Sequence, residues 1–205
     1  MMVDDSLNTS IIKIGNNNIV RYSNSLVRRA LEEIEAKNSV PIHSIIINER
    51  ENDLSASDWY QKGKNAAMKE DDDNAIHYYQ KAIDLDSRYT EAYISIGTPY
   101  ERKGNYDEAI KCYQKAILLN PQDWFPYFSM GYAYERQGNY DQAIESYEKV
   151  LEIDRRSGGN FIYYRIGFSY LNKGNKDKAI EWYRIGAKLG HPTTQEWLKE
   201  NGYDW

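Results

Sequence analysis

Apolar residues recur at helical spacing along most of the chain. Tyr93, Ile96 and Tyr100 fall on one side of a predicted helix. After a polar turn, Ala109 and Tyr113 share one side of a second predicted helix. The pattern therefore predicts pairs of amphipathic helices, each pair joined by a short turn.

This helix-pair pattern repeats every 34 residues. The stretch IGTPYERKGNYD, beginning at Ile96, returns as MGYAYERQGNYD at Met130. One step is 36 residues long, and the two extra residues fall in the loop-like stretch 155–159. Five kinds of position recur in four copies: Trp59, Tyr93, Tyr127 and Tyr163; Gly63, Gly97, Gly131 and Gly167; Ala75, Ala109, Ala143 and Ala179; Tyr79, Tyr113, Tyr147 and Tyr183; and Ala82, Ala116, Val150 and Gly186.

These columns resemble the tetratricopeptide repeat, a helix–turn–helix unit of 34 residues. The resemblance covers about residues 56–190 and implies an all-α fold, a right-handed α-solenoid of about four repeats. We place the repeats at about 56–89, 90–123, 124–159 and 160–192, with a capping helix at 193–201, all within a domain of residues 56–205. The C-terminal stretch WYRIGAKLGHPTTQEWL also resembles the related Sel1-like repeat.

Several residues predict how each unit is closed. The glycine column leaves room for the second helix to approach the first, and Gly104 and Gly138 suit a left-handed residue at the turn between them. The first unit departs from the pattern, with Lys62 and Glu70 where later units have apolar residues and glycine. At the other end, Thr193 begins a capping-box pattern before a predicted last helix. In that helix Trp197 and Leu198 are expected to cover the final repeat.

The first 55 residues do not fit the repeat and form a separate predicted extension of α/β character. Ile11–Ile14 and Ile19–Tyr22 predict a β-hairpin, Asn24–Lys37 a helix, Ile45–Ile47 a short strand and Asn48–Ser57 a polar linker. A two-stranded hairpin with one helix is marginal alone. We expect it to dock on the solenoid or to pair with another chain.

Composition narrows the class of protein. The chain has 205 residues, a formal net charge of -5 and one cysteine. The acidic balance argues against a nucleic-acid partner, which needs a clustered basic face. No apolar stretch reaches the roughly 18–20 residues that span a bilayer, and the N-terminus lacks a signal-peptide pattern. We therefore expect a cytoplasmic protein with no membrane partner.

The sequence carries no recognisable catalytic signature. It has neither a glycine-rich phosphate loop nor a clustered set of Cys and His, so we predict no cofactor and no metal site. Cys112 has no neighbouring base in the sequence and is interpreted as an inert thiol. An enzymatic or regulatory role within residues 1–55 is the weakest hypothesis, because that segment is too short to build a pocket. We predict a protein that is not an enzyme.

The informative surface is the face of each first helix that lies off the packing columns. In tetratricopeptide proteins the first helices line a concave surface where extended peptides bind, and seven of the ten side chains expected there are aromatic. They are Tyr60, Lys64, Ile94, Thr98, Phe125, Phe128, Tyr132, Phe161, Tyr164 and Phe168. Such an apolar surface exceeds what a monomer normally exposes. The alternatives are that these side chains pack between adjacent units or that the N-terminal segment fills the groove.

The charged groove of chaperone-binding members of the family is not carried over. That groove holds a terminal carboxylate with Lys, Asn and Arg side chains. At the matching places this chain has Tyr60, Lys64, Ser95, Phe125 and Ser129. We predict that it does not bind the acidic C-terminal tails of chaperones.

Pro99 interrupts the predicted first helix of the second unit, where the next unit has Ala133. A proline inside a helix removes one hydrogen bond and costs about 3 kcal/mol if the helix stays straight. The expected kink, next to Thr98, either widens the groove or is a substitution that the stacked fold tolerates, and we favour the second interpretation.

Together these patterns predict a non-catalytic protein-interaction scaffold. Its aromatic groove would bind an extended apolar or Pro-rich peptide segment of another protein. The alternative is a self-associating structural protein, a homo-oligomer or a closed molecule whose groove is filled by a second copy or by its own N-terminal segment.

Overall fold

The computed structural model describes the backbone of residues 9–14 and 18–23 and the whole of residues 54–154 and 159–205. The chain divides into two compact units, Met1–Leu54 and Ser55–Trp205. In the first, strands β1 (Thr9–Ile14) and β2 (Asn18–Ser23) pair antiparallel, with Thr9 opposite Ser23. The hairpin predicted there is present. The helix predicted at 24–37, the strand predicted at 45–47 and most of the linker predicted at 48–57 lie outside the described residues.

The second unit is built from helices. Its described part contains α1 (Ala56–Ala67), α2 (Asp72–Leu85), α3 (Thr90–Arg102), α4 (Tyr106–Leu119), α5 (Trp124–Arg136), α6 (Tyr140–Ile153), α7 (Phe161–Asn172), α8 (Lys176–Lys188) and α9 (Pro192–Glu200). Each helix packs on the next along the chain, and α3 also contacts α1 and α5. This is the stacked helix-pair architecture that the repeat pattern predicts. We call α1, α3, α5 and α7 the first helices and their partners the second helices.

Polar side chains and left-handed residues fix the helix ends. Ser55 caps α1 through a capping box with Asp58, in which each side chain bonds the backbone N–H of the other residue. After α3, Gly104 has φ 76°, and its N–H donates to the carbonyl of Glu101 at 2.9 Å. Gly138 has the same left-handed backbone after α5, as predicted. In the first unit Glu70 holds this conformation, at φ 58°, without being glycine.

The glycine and tyrosine columns meet inside each unit. A Cβ atom on Gly97 would lie 2.2 Å from the ring of Tyr113, and one on Gly131 would lie 2.7 Å from the ring of Tyr147. The same close approach joins the other two members of each column. All four tyrosines are buried. The missing side chain on the first helix is thus the space that the tyrosine of the second helix fills, which confirms the predicted close packing.

Adjacent units are also linked by polar contacts at one recurring position. Lys103, after α3, pairs with Asp73 in the first turn of α2, and Lys173 pairs with Asp141 in the same way. Between the middle units Gln137 donates a hydrogen bond of 2.7 Å to Asp107. These groups are largely exposed, so the links contribute more to the register between units than to stability.

The proline in α3 does not end the helix, which continues from Thr90 to Arg102. Pro99 is fully buried, as is Ala133 at the same position of α5. The hydroxyl of Ser95, one turn before Pro99, lies 3.2 Å from the hydroxyl of Tyr60 on α1.

The last helix closes the solenoid but begins differently from the prediction. We placed its cap at Thr193, whereas the N-cap is His191, whose Nδ1 accepts the N–H of Thr194 at 3.3 Å. Proline suits the first helical position because no backbone N–H is needed there. The helix therefore begins at Pro192, one residue before the predicted start at 193. Burial lowers the pKa of His191, which favours the neutral ring that accepts this hydrogen bond. Leu198 is fully buried, as predicted.

Across the described residues, no helix has the length and apolar character required to cross a bilayer.

Candidate peptide-binding groove

The ten residues predicted to line the groove all lie on the first helices, and none of them is buried. We call the surface that they form the groove surface. Phe125 and Phe161 lie in the first turns of α5 and α7, and their side chains are 45% and 38% exposed. An exposed phenylalanine is not unusual alone. Two at the same position of adjacent units mark a surface that packing within the solenoid does not cover.

The structure joins the residues of α5 and α7 into one group of rings. Phe128 lies 6.2 Å from Phe161, Phe161 lies 5.8 Å from Tyr164, and Tyr164 lies 6.0 Å from Phe168. Trp124 extends the group on α5, with its ring centre 6.3 Å from that of Phe128 and 5.6 Å from that of Phe125. These separations are those of favourable aromatic pairs. We call this group the aromatic cluster.

A cation lies within the aromatic cluster. The guanidinium of Arg165 is 5.0 Å from the ring centre of Tyr132 and 4.8 Å from that of Phe161, so it bridges two units. Its Nη1 donates to Oε1 of Glu135 at 2.7 Å. Its buried Nε has no hydrogen-bond partner among the described residues. The arrangement fixes the guanidinium between aromatic faces, where cation–π attraction is favourable.

Glu135 links the Arg165 guanidinium to the packed interior of the third unit. Its carboxylate is buried, accepts from Arg165, and lies 3.1 Å from the hydroxyl of Tyr147 on α6. Burial raises the pKa of Glu135 and outweighs the opposing effect of Arg165. One unit earlier, Glu101 accepts the hydroxyl of Tyr113 at 2.8 Å, and burial raises its pKa also. A carboxylate that accepts the hydroxyl of the packed tyrosine thus recurs in two units, buried in Glu135 and half-buried in Glu101.

The N-terminal part of the groove surface forms a second, smaller group. The ring of Tyr60 lies 5.0 Å from Tyr89 and 5.7 Å from Tyr79, and the ammonium of Lys64 lies 5.8 Å from the ring of Tyr60. Ile94 and Thr98 occupy α3 between the two groups. The structure therefore brings six of the ten predicted residues into the aromatic cluster. Five of them join it by ring contacts, namely Phe125, Phe128, Phe161, Tyr164 and Phe168, and Tyr132 joins it through Arg165. Tyr60 and Lys64 form a separate group.

Sequence reasoning missed three residues that contribute to the cluster. Arg165 stands where the other units have Gln61, Ser95 and Ser129, so the change from an uncharged polar residue to arginine, next to Tyr164, was the available signal. His191 lies 5.4 Å from Tyr164 in a nearly parallel stack, although it is far along the chain. Trp124 was the third, and only its position one residue before Phe125 pointed to it.

The described residues do not suggest a metal site or an activated thiol. They include no group of His, Cys, Asp or Glu that could hold a metal ion. Cys112 is a half-buried free thiol, and burial raises its pKa to about 11, so the thiolate that would act as a nucleophile is disfavoured at neutral pH.

The sequence matches known repeat families along most of the solenoid. The family described as TPR repeat matches residues 100–138, and the tetratricopeptide repeat matches residues 125–157 and 162–184. The Sel1 repeat matches residues 51–87. A Sel1 repeat was predicted, but at the C-terminal end, whereas the match falls on the first unit. No curated protein matches the chain.

Solved structures show the same fold. The chain is similar to one described as "Crystal structure of MamA", with a TM-score of 0.63 and 25% identity over 82% of this chain and 88% of that one. It is also similar to "Crystal structure of MamA protein", with a TM-score of 0.65 and 23% identity over 83% of this chain and 94% of that one. The chain therefore contains tetratricopeptide repeats, and its first unit matches the Sel1 repeat.

Proposed function

We propose that the chain is a non-catalytic scaffold that binds an extended apolar or Pro-rich segment of another protein on its groove surface. Repeats of this family build interaction surfaces and are typically not enzymes. The observation that carries the proposal is the pair of exposed phenylalanines, Phe125 and Phe161, which Trp124 and Phe128 join into a continuous aromatic cluster. Aromatic side chains on a rigid wall are the anchors that proline-rich and apolar segments use.

The spacing of the cluster supports an extended ligand. Its rings run from Trp124 on α5 to Phe168 on α7, and α7 begins one unit after α5, so a bound segment would cross two units. Arg165 adds a fixed positive charge near its middle, largely neutralised by Glu135. The surface therefore favours an apolar backbone-extended segment over an acidic one. The net charge of -5 makes nucleic acid and anionic membranes unfavourable partners.

The test compares exposed groove residues with exposed apolar residues elsewhere. Fluorescein-labelled ten-residue peptides rich in Pro, Leu and Phe are titrated with the wild type and with Phe125→Ala/Phe161→Ala, and fluorescence anisotropy reports binding. We expect the variant to bind about tenfold or more weakly, because truncating central aromatic anchors removes most of the contact energy. The matched control is Met68→Ala/Leu118→Ala, which removes apolar side chains that are 82% and 73% exposed and lie outside the groove surface.

Equal affinity of the groove variant and the control would contradict the proposal, as would the absence of binding by any apolar peptide. Both variants change exposed side chains, so circular dichroism should show unchanged folding.

Self-association is the second candidate, favoured by the β1–β2 hairpin. A two-stranded sheet is marginal in water, and among the described residues β1 and β2 pair only with each other. Sedimentation velocity at several concentrations measures it. A mass that rises with concentration in both the wild type and Phe125→Ala/Phe161→Ala would support association through the hairpin. A rise in the wild type alone would mean that a second copy fills the groove surface.

A further inference from the structure

The solenoid also has a cavity outside the groove surface. It has a volume of about 360 Å³ and lies between α5 and α6 in the third unit. Tyr127, Met130 and Tyr134 line it from α5, and Ser146 lines it from α6. Its volume is within the usual range of small binding sites, and none of its lining residues belongs to the groove surface. We call it the Ser146 pocket.

The pocket exists because a large side chain is replaced by a small one. The position of Ser146 is occupied by Tyr78 in the first unit and by Trp182 in the fourth, while the second unit has the small residue Cys112 there. Ser146 is buried, and its hydroxyl donates to the carbonyl oxygen of Gln142 at 2.7 Å. The serine hydroxyl is therefore hydrogen-bonded within its own helix, and the space that an aromatic ring fills in the first and fourth units stays empty.

The first and fourth units show what fits this space. Trp182 stacks on Tyr163, with ring centres 6.0 Å apart and planes inclined by 29°. Tyr78 lies 5.6 Å from Trp59 at 32°. Tyr127 is the counterpart of Trp59 and Tyr163 in the third unit, and its outer face lacks the corresponding ring from α6. An aromatic side chain in the Ser146 pocket would restore a contact that the same fold makes twice elsewhere.

The charges around the pocket indicate what surrounds that ring. Glu145, Glu148 and Glu152 line it from α6, and Lys149 is the cationic lining residue. Lys149 is already paired with Glu152. Two carboxylates therefore remain at the rim, and they favour a positively charged segment.

We propose that the Ser146 pocket receives an aromatic side chain from a basic segment of a partner protein, with the ring against Tyr127 and the positive charges at Glu145 and Glu148. This inference is independent of the proposed function of the groove surface, because the two sites share no residue.

The experiment uses defined peptides and the full chain. Acetylated and amidated Arg-Trp-Arg is titrated into ¹⁵N-labelled protein, and amide chemical shifts around Ser146 and Tyr134 are followed by NMR. We expect saturable shifts confined to α5 and α6. Arg-Ala-Arg should bind at least about tenfold more weakly, because it lacks the anchor ring, and Glu-Trp-Glu should also bind more weakly because of the rim charges.

Two sets of variants test the site. Ser146→Trp should fill the pocket as Trp182 does in the fourth unit, raise the melting temperature and abolish the shifts, whereas Ser146→Ala keeps the space and should retain binding. Glu145→Lys/Glu148→Lys changes only rim side chains and should weaken Arg-Trp-Arg several-fold, with a smaller dependence on salt. The groove variant Phe125→Ala/Phe161→Ala serves as a control and should bind as the wild type does.

Three results would overturn the proposal. The first is equal affinity for Arg-Trp-Arg and Arg-Ala-Arg. The others are peptide-induced shift changes that persist in a folded Ser146→Trp variant, or an unchanged affinity of Glu145→Lys/Glu148→Lys for Arg-Trp-Arg. The rim variant keeps the test decisive if Ser146→Trp does not fold. Loss of binding in the groove variant alone would assign the peptide to the groove surface and would also contradict the pocket.

Discussion

Two glutamates, one half-buried and one buried, show how single residues link the two helices of a unit. Glu101 on α3 and Glu135 on α5 occupy the same repeat position and bond Tyr113 and Tyr147, the tyrosines that fill the glycine gaps. Glu135 also accepts a hydrogen bond from Arg165. A buried residue thus orients the guanidinium that lies within the aromatic cluster. The sequence showed the tyrosine and glycine columns, but not these bonds, because a glutamate on a helix is most often exposed.

Replacement of Glu101 by glutamine should stabilise the protein at pH 7 and not below about pH 4. Burial raises the pKa of Glu101 above 4.5, so the folded state disfavours its ionised form. The stability associated with the neutral carboxyl is therefore present below pH 4.5 and is lost as the pH rises through the folded-state pKa. Glu101→Gln keeps an oxygen that can accept from Tyr113 but cannot ionise. Urea unfolding midpoints at pH 4 and pH 7 measure the difference, with Glu181→Gln on the exposed side of α8 as the control. A gain of the same size at both pH values would show that ionisation is not the cause.

At the scale of elements, the repeat pattern predicted the helix pairs and their turns, because the 34-residue period sums weak local signals over four copies. The start of α9 was predicted less well. A Thr-x-x-Glu pattern was read as a cap, but proline at position 192 and the ring nitrogen of His191 begin the helix earlier. Histidine is a rare N-cap residue. Its capping role could not be predicted from the sequence, because it depends on the burial of the ring.

Replacement of Pro99 by alanine should raise the stability of α3 without changing the groove surface. Proline offers no N–H to the carbonyl of Ser95, whereas Ala133 at the same position of α5 has one. Restoring that bond should increase the free energy of unfolding by about 1–2 kcal/mol, after allowance for the greater freedom of the unfolded alanine chain. Thermal melting measures the gain, and the groove peptides should bind with unchanged affinity. A loss of peptide binding in a more stable Pro99→Ala variant would instead show that the proline shapes the groove surface.

At the scale of the whole molecule, the sequence predicted which helices carry the groove surface but not how its residues divide. All ten were expected to form one lining, and the structure gathers six of them into the aromatic cluster. The interpretation that some pack between units holds in part, since Phe128 and Phe161 touch across a unit boundary. Contacts of this kind depend on the angle between stacked units, which no local pattern specifies. His191 and Arg165 joined the cluster for the same reason.

An acidic C-terminal chaperone tail should not bind this protein. Lys64 is the matching cation on the first unit and is exposed, but the sites that would complete the carboxylate clamp hold Tyr60, Phe125 and Ser129. Arg165 already pairs with Glu135. Fluorescence anisotropy of a labelled tail peptide should show no saturation in the micromolar range, with the apolar groove peptides as the positive control. A micromolar affinity that depends on the free terminal carboxylate would show this prediction to be wrong.

The fit of each tyrosine into the glycine gap opposite it has a consequence for how such a chain can change. Both partners belong to the same helix pair. A larger residue in place of the glycine would clash with the tyrosine ring, as the 2.2 Å approach at Gly97 shows, and a smaller residue in place of the tyrosine would leave a cavity. A complete pair can be duplicated, deleted or exchanged with that contact intact. The pair, not the single helix, is thus the natural module of this fold, and an added copy would lengthen the groove surface while leaving existing units unchanged.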